Sequence, residues 1–234
     1  MPAKYLLSVN SRPKPNVGVD DDLWVKWYME EHLDDLVNSK TSTKAAFYKE
    51  SHDFAFKAKE PHPRKFLALY QTDFEEPMKS KEFHDDVRHT SEMWPDKKSD
   101  QEIGDFDARN YSLLQEFDPK KVGDSAPSYL LTVEMEPSEA NEKDFDDWYR
   151  QEHLNLLSKL PGYRRSLRYV IGPKTPITQG EPPKYLAIHE IDNVHAFDGK
   201  EAEAANTTPW TTKHIEEAKT FIPRMWEKVY SQGF

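Results

Sequence analysis

No cysteine occurs among the 234 residues. Disulfides, thiolate catalysis, cysteine-ligated zinc and thiolate-ligated haem are therefore excluded. Basic residues are the minority, with 32 Lys and Arg against 42 Asp and Glu and a net charge of −10. A surface of that sign disfavours nucleic acid and anionic membrane as partners. No run approaches the roughly 20 apolar residues that span a bilayer. Met1-Pro2-Ala3-Lys4 leads straight into Tyr5-Leu6-Leu7-Ser8-Val9, without the apolar stretch of a secretory signal. A cytoplasmic protein is the expectation. Phosphate loops, dinucleotide fingerprints and nucleophile elbows are missing as well. Only 36% of the residues are hydrophobic, yet 11 Tyr, 12 Phe and 6 Trp are present. Rings of that size bury a large area each, so the composition predicts a folded chain with a thin, aromatic-rich core.

What the sequence has is a repeat. Tyr5-Leu6-Leu7-Ser8-Val9 returns as Tyr129-Leu130-Leu131-Thr132-Val133, with four of five residues identical. The ten residues from Trp27 to Leu36 return as Trp148 to Leu157, six of them identical. Lys65-Phe66-Leu67-Ala68-Leu69 returns as Lys184-Tyr185-Leu186-Ala187-Ile188. The offsets are 124, 121 and 119 residues, in the same order. Three matches in register define a tandem duplication. Between the copies, Asp118 to Ser128 is rich in Pro, Gly, Ser and charge and reads as a linker. The expected units are residues 1–121 and 122–234.

In the first copy the patterns predict a strand over 4–10, a helix over 21–39, strands over 43–50 and 65–72, a helix over 79–93 and a strand over 109–117. The second copy predicts a strand over 128–134 and a helix capped by Asn141 or Asp144 that ends at Pro161-Gly162. Strands over 163–171 and 184–191 follow, then helices over 194–205 and 208–220 and a short strand over 224–230. The order β-α-β-β-α-β packs helices on one face of a four-stranded antiparallel sheet. The bare face of one sheet then needs the other copy, giving two sheets face to face with helices outside.

The shared Trp-Tyr-x-x-Glu-His-Leu carries a family resemblance. Each half resembles the dimeric α/β-barrel superfamily, and most closely its EthD-type branch. There a helix after the first strand holds a Trp followed by Glu-His, then a Pro-Gly and a strand. Trp148, Glu152, His153, Pro161, Gly162, Tyr163 and Tyr169 match this pattern. The first copy keeps Trp27, Glu31 and His32 but has Thr41-Ser42 in place of Pro-Gly. The resemblance covers nearly the whole chain in two pieces. It implies an α+β fold of two fused ferredoxin-like βαββαβ units forming an intramolecular dimeric α/β barrel, with a ligand cleft between sheet and helices in each unit. The superfamily hosts cofactor-free monooxygenases, cyclases, isomerases, dehydratases, lyases, haem enzymes and stress-response proteins, so fold does not choose the reaction.

His153 is the first candidate for chemistry. At helical spacing it lies within about 80° of Phe145, Tyr149, Leu156 and Leu160, on the face turned to the sheet. Imidazole titrates near neutrality and suits acid/base work; a core histidine bonded to a backbone carbonyl is the structural alternative. His32 is its counterpart, but Asp35 and Ser39 replace Leu156 and Leu160. That substitution predicts an exposed helix end. Strand alternation puts His189 on one face with Tyr185 and Ala187, and Tyr70 occupies the equivalent place in the first copy. The candidate catalytic set is thus His153, His32, His189 and Tyr70. Trp148, Tyr149, Tyr169, Trp27, Tyr28 and Tyr48 are the candidate substrate-binding residues. Arg164, Arg165 and Arg168 read as edge charges that block aggregation. His84 and His89, five apart, miss the spacing of two ligands on one helical face, and no metal or cofactor is expected.

The function these features favour is cofactor-independent acid/base chemistry on a hydrophobic, aromatic or polyketide-like small molecule, by a cyclase, isomerase, dehydratase, decarboxylase or monooxygenase. A non-catalytic binding or stress-response protein is the alternative, and a haem-binding barrel a third. The divergence at Asp35, Thr41-Ser42 and Tyr70 makes the second half the expected working site. Pairing of two fused chains into a homodimer is left open.

Overall fold

The computed structural model describes residues 2–52 and 60–234. The first unit runs β1 (Tyr5–Pro13), α1 (Asp21–Trp27), a π turn (Tyr28–His32), α2 (Leu33–Asn38), β2 (Lys44–Ser51), β3 (Phe66–Thr72), α3 (Lys81–Asp86), α4 (Asp100–Ile103) and β4 (Gly104–Phe117). The second runs β5 (Tyr129–Glu136), α5 (Glu142–Trp148), a π turn (Tyr149–His153), α6 (Leu154–Leu157), β6 (Tyr163–Lys174), β7 (Tyr185–Ile191), α7 (Lys200–Asn206), α8 (Pro209–Glu217) and β8 (Thr220–Gln232).

The eight strands close into one antiparallel barrel in the order β1-β3-β2-β8-β5-β7-β6-β4. Within each unit the strands keep the ferredoxin-like order, with the fourth beside the first and the third between first and second. The two sheets do more than lie face to face. They join at both edges, β2 to β8 and β4 to β6. Closure leaves no row of unpaired backbone groups. It also explains two strands longer than the sequence suggests. Residues 104–112 of β4 pair with β1, and residues 109–117 pair with β6. In β8, residues 220–227 pair with β5 and residues 225–232 with β2. Expected spans of 109–117 and 224–230 caught part of each.

Alternation sorts the strand residues between two environments. Phe66, Ala68 and Tyr70 of β3 pack under the helices, whereas Leu67 joins the core inside the barrel. In β7, Ala187 and Ile191 pack under the helices and Leu186 and Ile188 turn inward. Each unit therefore has a helix-covered core, and a third core is shared within the barrel.

Two expectations are corrected. The helix expected over 79–93 is only the six residues of α3, of which Phe83 packs part-buried against the first-unit core; that run lacks the continuous apolar stripe a longer helix needs. Arg164, Arg165 and Arg168 do not guard an edge, because β6 is paired on both sides. Arg165 holds Glu190 at 2.9 Å and Arg168 holds Asp146 at 2.8 Å, and both arginines are buried. Burying a guanidinium requires such partners.

Candidate functional site

The π turns set the geometry of both candidate sites. Trp27 and His32 are five residues apart, and on a regular α-helix about 140° would separate them. The Leu33 N–H instead bonds the Tyr28 carbonyl, five residues back. The wider turn brings His32 onto Trp27, ring centroids 4.3 Å apart and planes 19° from parallel. The second half repeats this. The Leu154 N–H bonds the Tyr149 carbonyl, and His153 stacks on Trp148 at 4.3 Å. Each histidine then faces a ring on the third strand, Tyr70 at 6.3 Å or His189 at 6.5 Å, edge-on in both cases. Leu7 lies opposite Tyr70 in the sheet and Leu131 opposite His189, so the duplication is preserved to the register.

In the first half, His32 and Tyr70 line a cavity of about 50 Å³ with Leu7, Val9, Leu36, Met78, Phe83, Phe106, Ala108 and Ile177. The wall is mostly apolar, and Ile177 reaches it from the second half. His89, Asp100 and Gln101 complete the lining. The buried atoms His32 Nδ1 and Tyr70 Oη have no hydrogen-bond partner among the described residues. Burial pulls the His32 imidazole down to about 3, and the charges of His89 and Arg88 add to the effect. It is neutral at pH 7. Burial pushes the Tyr70 hydroxyl well above its ordinary value, with Tyr28 adding to the effect, so Tyr70 stays a donor. Tyr28 itself is committed elsewhere: its hydroxyl shares a hydrogen bond with Ser11 Oγ at 3.1 Å, and Trp24 donates to the same oxygen.

At the helix end expected to be exposed, Asn38 and Lys40 are exposed, and an ion pair holds Asp35. Arg88 grips both Asp35 oxygens at 2.8 and 2.9 Å and so links α2 to the segment after α3. Thr41 and Ser42 are fully buried, and the Thr41 carbonyl accepts from Thr72 Oγ1 at 2.7 Å.

In the second half, His153, His189, Trp148 and Tyr149 line a cavity of about 30 Å³ with Phe197, Ile215 and Phe221 among the walls. Its groups are more fully engaged. His189 Nδ1 meets Ser166 Oγ at 2.7 Å, and Ser166 meets the Tyr163 hydroxyl at 2.9 Å. His153 hydrogen-bonds the Ala205 backbone, which opposes the pull of burial, yet its pKa still falls to about 3. Burial, with Arg168 adding to it, takes His189 to about 3 as well. Trp148 Nε1 donates to Thr211 Oγ1 at 3.1 Å, and Thr211 donates to the Ala205 carbonyl. The Arg168 guanidinium lies 4.1 Å from the centre of the Tyr149 ring.

Six of the ten candidates line the two clefts, and Trp27 and Tyr28 pack behind them against the His32 ring. Tyr48 and Tyr169 belong to neither. They occupy the inward face of their strands and sit inside the barrel, beside a third cavity of about 30 Å³ that also includes Glu190. The larger cavity is in the first half, and a buried histidine nitrogen without a hydrogen-bond partner among the described residues, His32 Nδ1 or His153 Nδ1, occurs in each. His89 and Asp100 were missed. A test for ligands on one helix could not find them, since His89 lies beyond the end of α3. One signal was legible: Ser99-Asp100-Gln101-Glu102 is a capping box, and both of its reciprocal bonds form. It marks a helix start that puts Asp100 at its first residue. Among the described residues there is no cluster of three or more His, Asp or Glu able to hold a metal, and no helix long and apolar enough to cross a membrane.

No protein-family model matches the chain. Core atranone cluster (CAC) protein 1 of Stachybotrys chlorohalonatus is 29% identical over 182 residues, spanning 72% of this chain and 74% of the relative. A proposed monooxygenase from Fusobacterium nucleatum has a TM-score of 0.59 at 10% identity, over 99% of this chain and 95% of that one. An anthrone oxidase-like protein also reaches 0.59 at 10% identity, over 97% and 92%. A mutant chlorite dismutase from Candidatus Nitrospira defluvii, in complex with cyanide, reaches 0.54 at 9% identity, over 97% and 90%. At such identities the likeness is one of fold, and these neighbours share the α/β barrel.

Proposed function

We propose that the chain is a cofactor-independent enzyme of secondary metabolism, of the EthD-type branch. Its substrate is a hydrophobic, aromatic or polyketide-like small molecule, from which the first-half cavity removes a proton. One observation carries the reading: in a mostly apolar cavity, a neutral imidazole nitrogen and a protonated phenol are both buried without partners. Leaving such groups unsatisfied costs about 1–3 kcal/mol each, a cost that a bound carbonyl or hydroxyl group relieves. His32 is the base, and Tyr70 donates to the substrate oxygen. Trp27 holds the His32 ring in place. The relative in a cluster named for atranone supports the metabolic setting, and the anthrone oxidase-like barrel suggests a probe.

Anthrone carries an acidic methylene next to its aromatic rings and is the first substrate to test. The protein should speed hydrogen–deuterium exchange at that carbon in deuterated buffer without oxygen. His32→Ala should reduce the enzymatic rate about 10²- to 10⁴-fold. With air admitted, appearance of anthraquinone would place oxygenation after the same proton removal. The small volume of the cavity favours a second reading, a non-catalytic binding protein. Saturable anthrone binding with exchange no faster than in buffer would establish that reading instead.

A further inference from the structure

The loop between α3 and α4 is built to present one side chain. Thr90 pairs with Ser99 as an antiparallel bridge. The Asp100 N–H donates to the His89 carbonyl at 2.9 Å. The capping box of Ser99 and Glu102 fixes the first turn of α4. Together these backbone contacts bring His89 Nδ1 to 3.5 Å from Asp100 Oδ2. The other Asp100 oxygen accepts the Gln101 N–H at 2.7 Å. The Asp100 side chain is 12% exposed and the His89 side chain 38%. Its carboxyl is pushed up by burial and pulled back by His89. Both residues line the cavity that holds His32 and Tyr70.

Proton removal from carbon leaves charge on the neighbouring oxygen. Tyr70, whose hydroxyl is held protonated, can steady that charge but not discharge it. A base as weak as His32 needs an acid that does. Resting on the reading of this cavity as a proton-transfer site, we infer that His89 is a second catalytic residue, the acid to the base of His32, and that Asp100 is its positioning residue. The C–H bond of the substrate breaks and its proton goes to His32. The electron pair moves into the conjugated carbonyl, in anthrone through the fused ring, and the carbonyl oxygen takes the proton of a His89 imidazolium. The enol forms, His32 is left charged and His89 neutral, and nothing is oxidised or reduced. Asp100 accepts from His89 Nδ1 and so leaves Nε2 for the cavity.

Anthrone exchange under nitrogen and ring-¹⁵N spectroscopy test this with the intact chain. His89→Gln should slow exchange about 10²-fold or more. Asp100→Asn should slow it about tenfold or more at unchanged KM and should alter the ring-¹⁵N shifts of His89. Exchange by His89→Gln at the wild-type rate would overturn the acid role and leave His32 as the base. Unchanged His89 ¹⁵N shifts in Asp100→Asn would overturn the positioning role, with no substrate needed. If the wild-type chain gives no exchange, the proton-transfer reading itself falls and takes the acid role with it.

Discussion

His153 and His189 are buried as neutral rings, each with a pKa near 3. An unfolded histidine takes its proton near 6.5. Between those values the unfolded chain binds the proton and the folded chain does not, so folding stability falls as pH drops from about 6.5 toward 3. Each group contributes a slope of about 1.4 kcal/mol per pH unit across that window. Thermal unfolding followed from pH 8 to pH 4 should show a flat upper region and a steep acid limb. His189→Gln should make that limb shallower. An acid limb of unchanged slope in the variant would show that His189 is not buried neutral. The same residue scale marks what the sequence could and could not show. His32, His153, Tyr70 and His189 were picked by helical and strand periodicity, because a side chain's face depends on local geometry. Tyr48 and Tyr169 were assigned to the cleft from equivalent strand positions, which establish that two residues match but not which side of the sheet they occupy.

At the scale of elements, the π turn does what a helical wheel cannot represent. A single wider turn changes the angle between Trp and His from about 140° to a stack, and the motif Trp-Tyr-x-x-Glu-His alone does not reveal it. In the second half, the stacked Trp148 is also tied to α8 through Thr211. Trp148→Phe removes that bond and part of the packing, and should cost about 1–3 kcal/mol in urea unfolding. The far-UV circular dichroism should stay unchanged. The α3 segment shows the opposite limit. Its residues have adequate helix propensity, but without a continuous apolar stripe the helix stops at Asp86. The chain that follows is free to carry Arg88 to Asp35 and His89 to Asp100.

At the scale of the molecule, the barrel depends on two seams that cross between the halves. Glu50 of β2 and Arg224 of β8 form a bond across one; Arg168 of β6 donates to Gln115 of β4 at 2.7 Å across the other. Either half alone would expose β2 or β6 and the free end of its last strand, and edges of that kind pair with other chains. Residues 1–121 or 122–234 expressed separately should therefore run as dimers or aggregates by size exclusion, whereas mixing the two should yield a one-to-one complex the size of the intact chain. Two well-behaved monomers would contradict the dependence on the seams.

By itself the sequence determined the repeat, the β-α-β-β-α-β order of each unit and the faces of its most periodic elements. These follow from local rules, because a strand alternates every two residues and a helix turns every 3.6 whatever lies beyond it. Tertiary structure decided the rest: edge-to-edge closure, the burial of Arg165 and Arg168, and the greater room in the first-half cleft. It also brought His89 and Asp100 to a cavity beside His32, which lies 57 residues before His89. Those outcomes depend on which distant segments fill the space around a side chain. Similar local patterns in the two copies accordingly led to a larger cavity beside Tyr70 in one half and a smaller one in the other, where His189 is tied to Ser166.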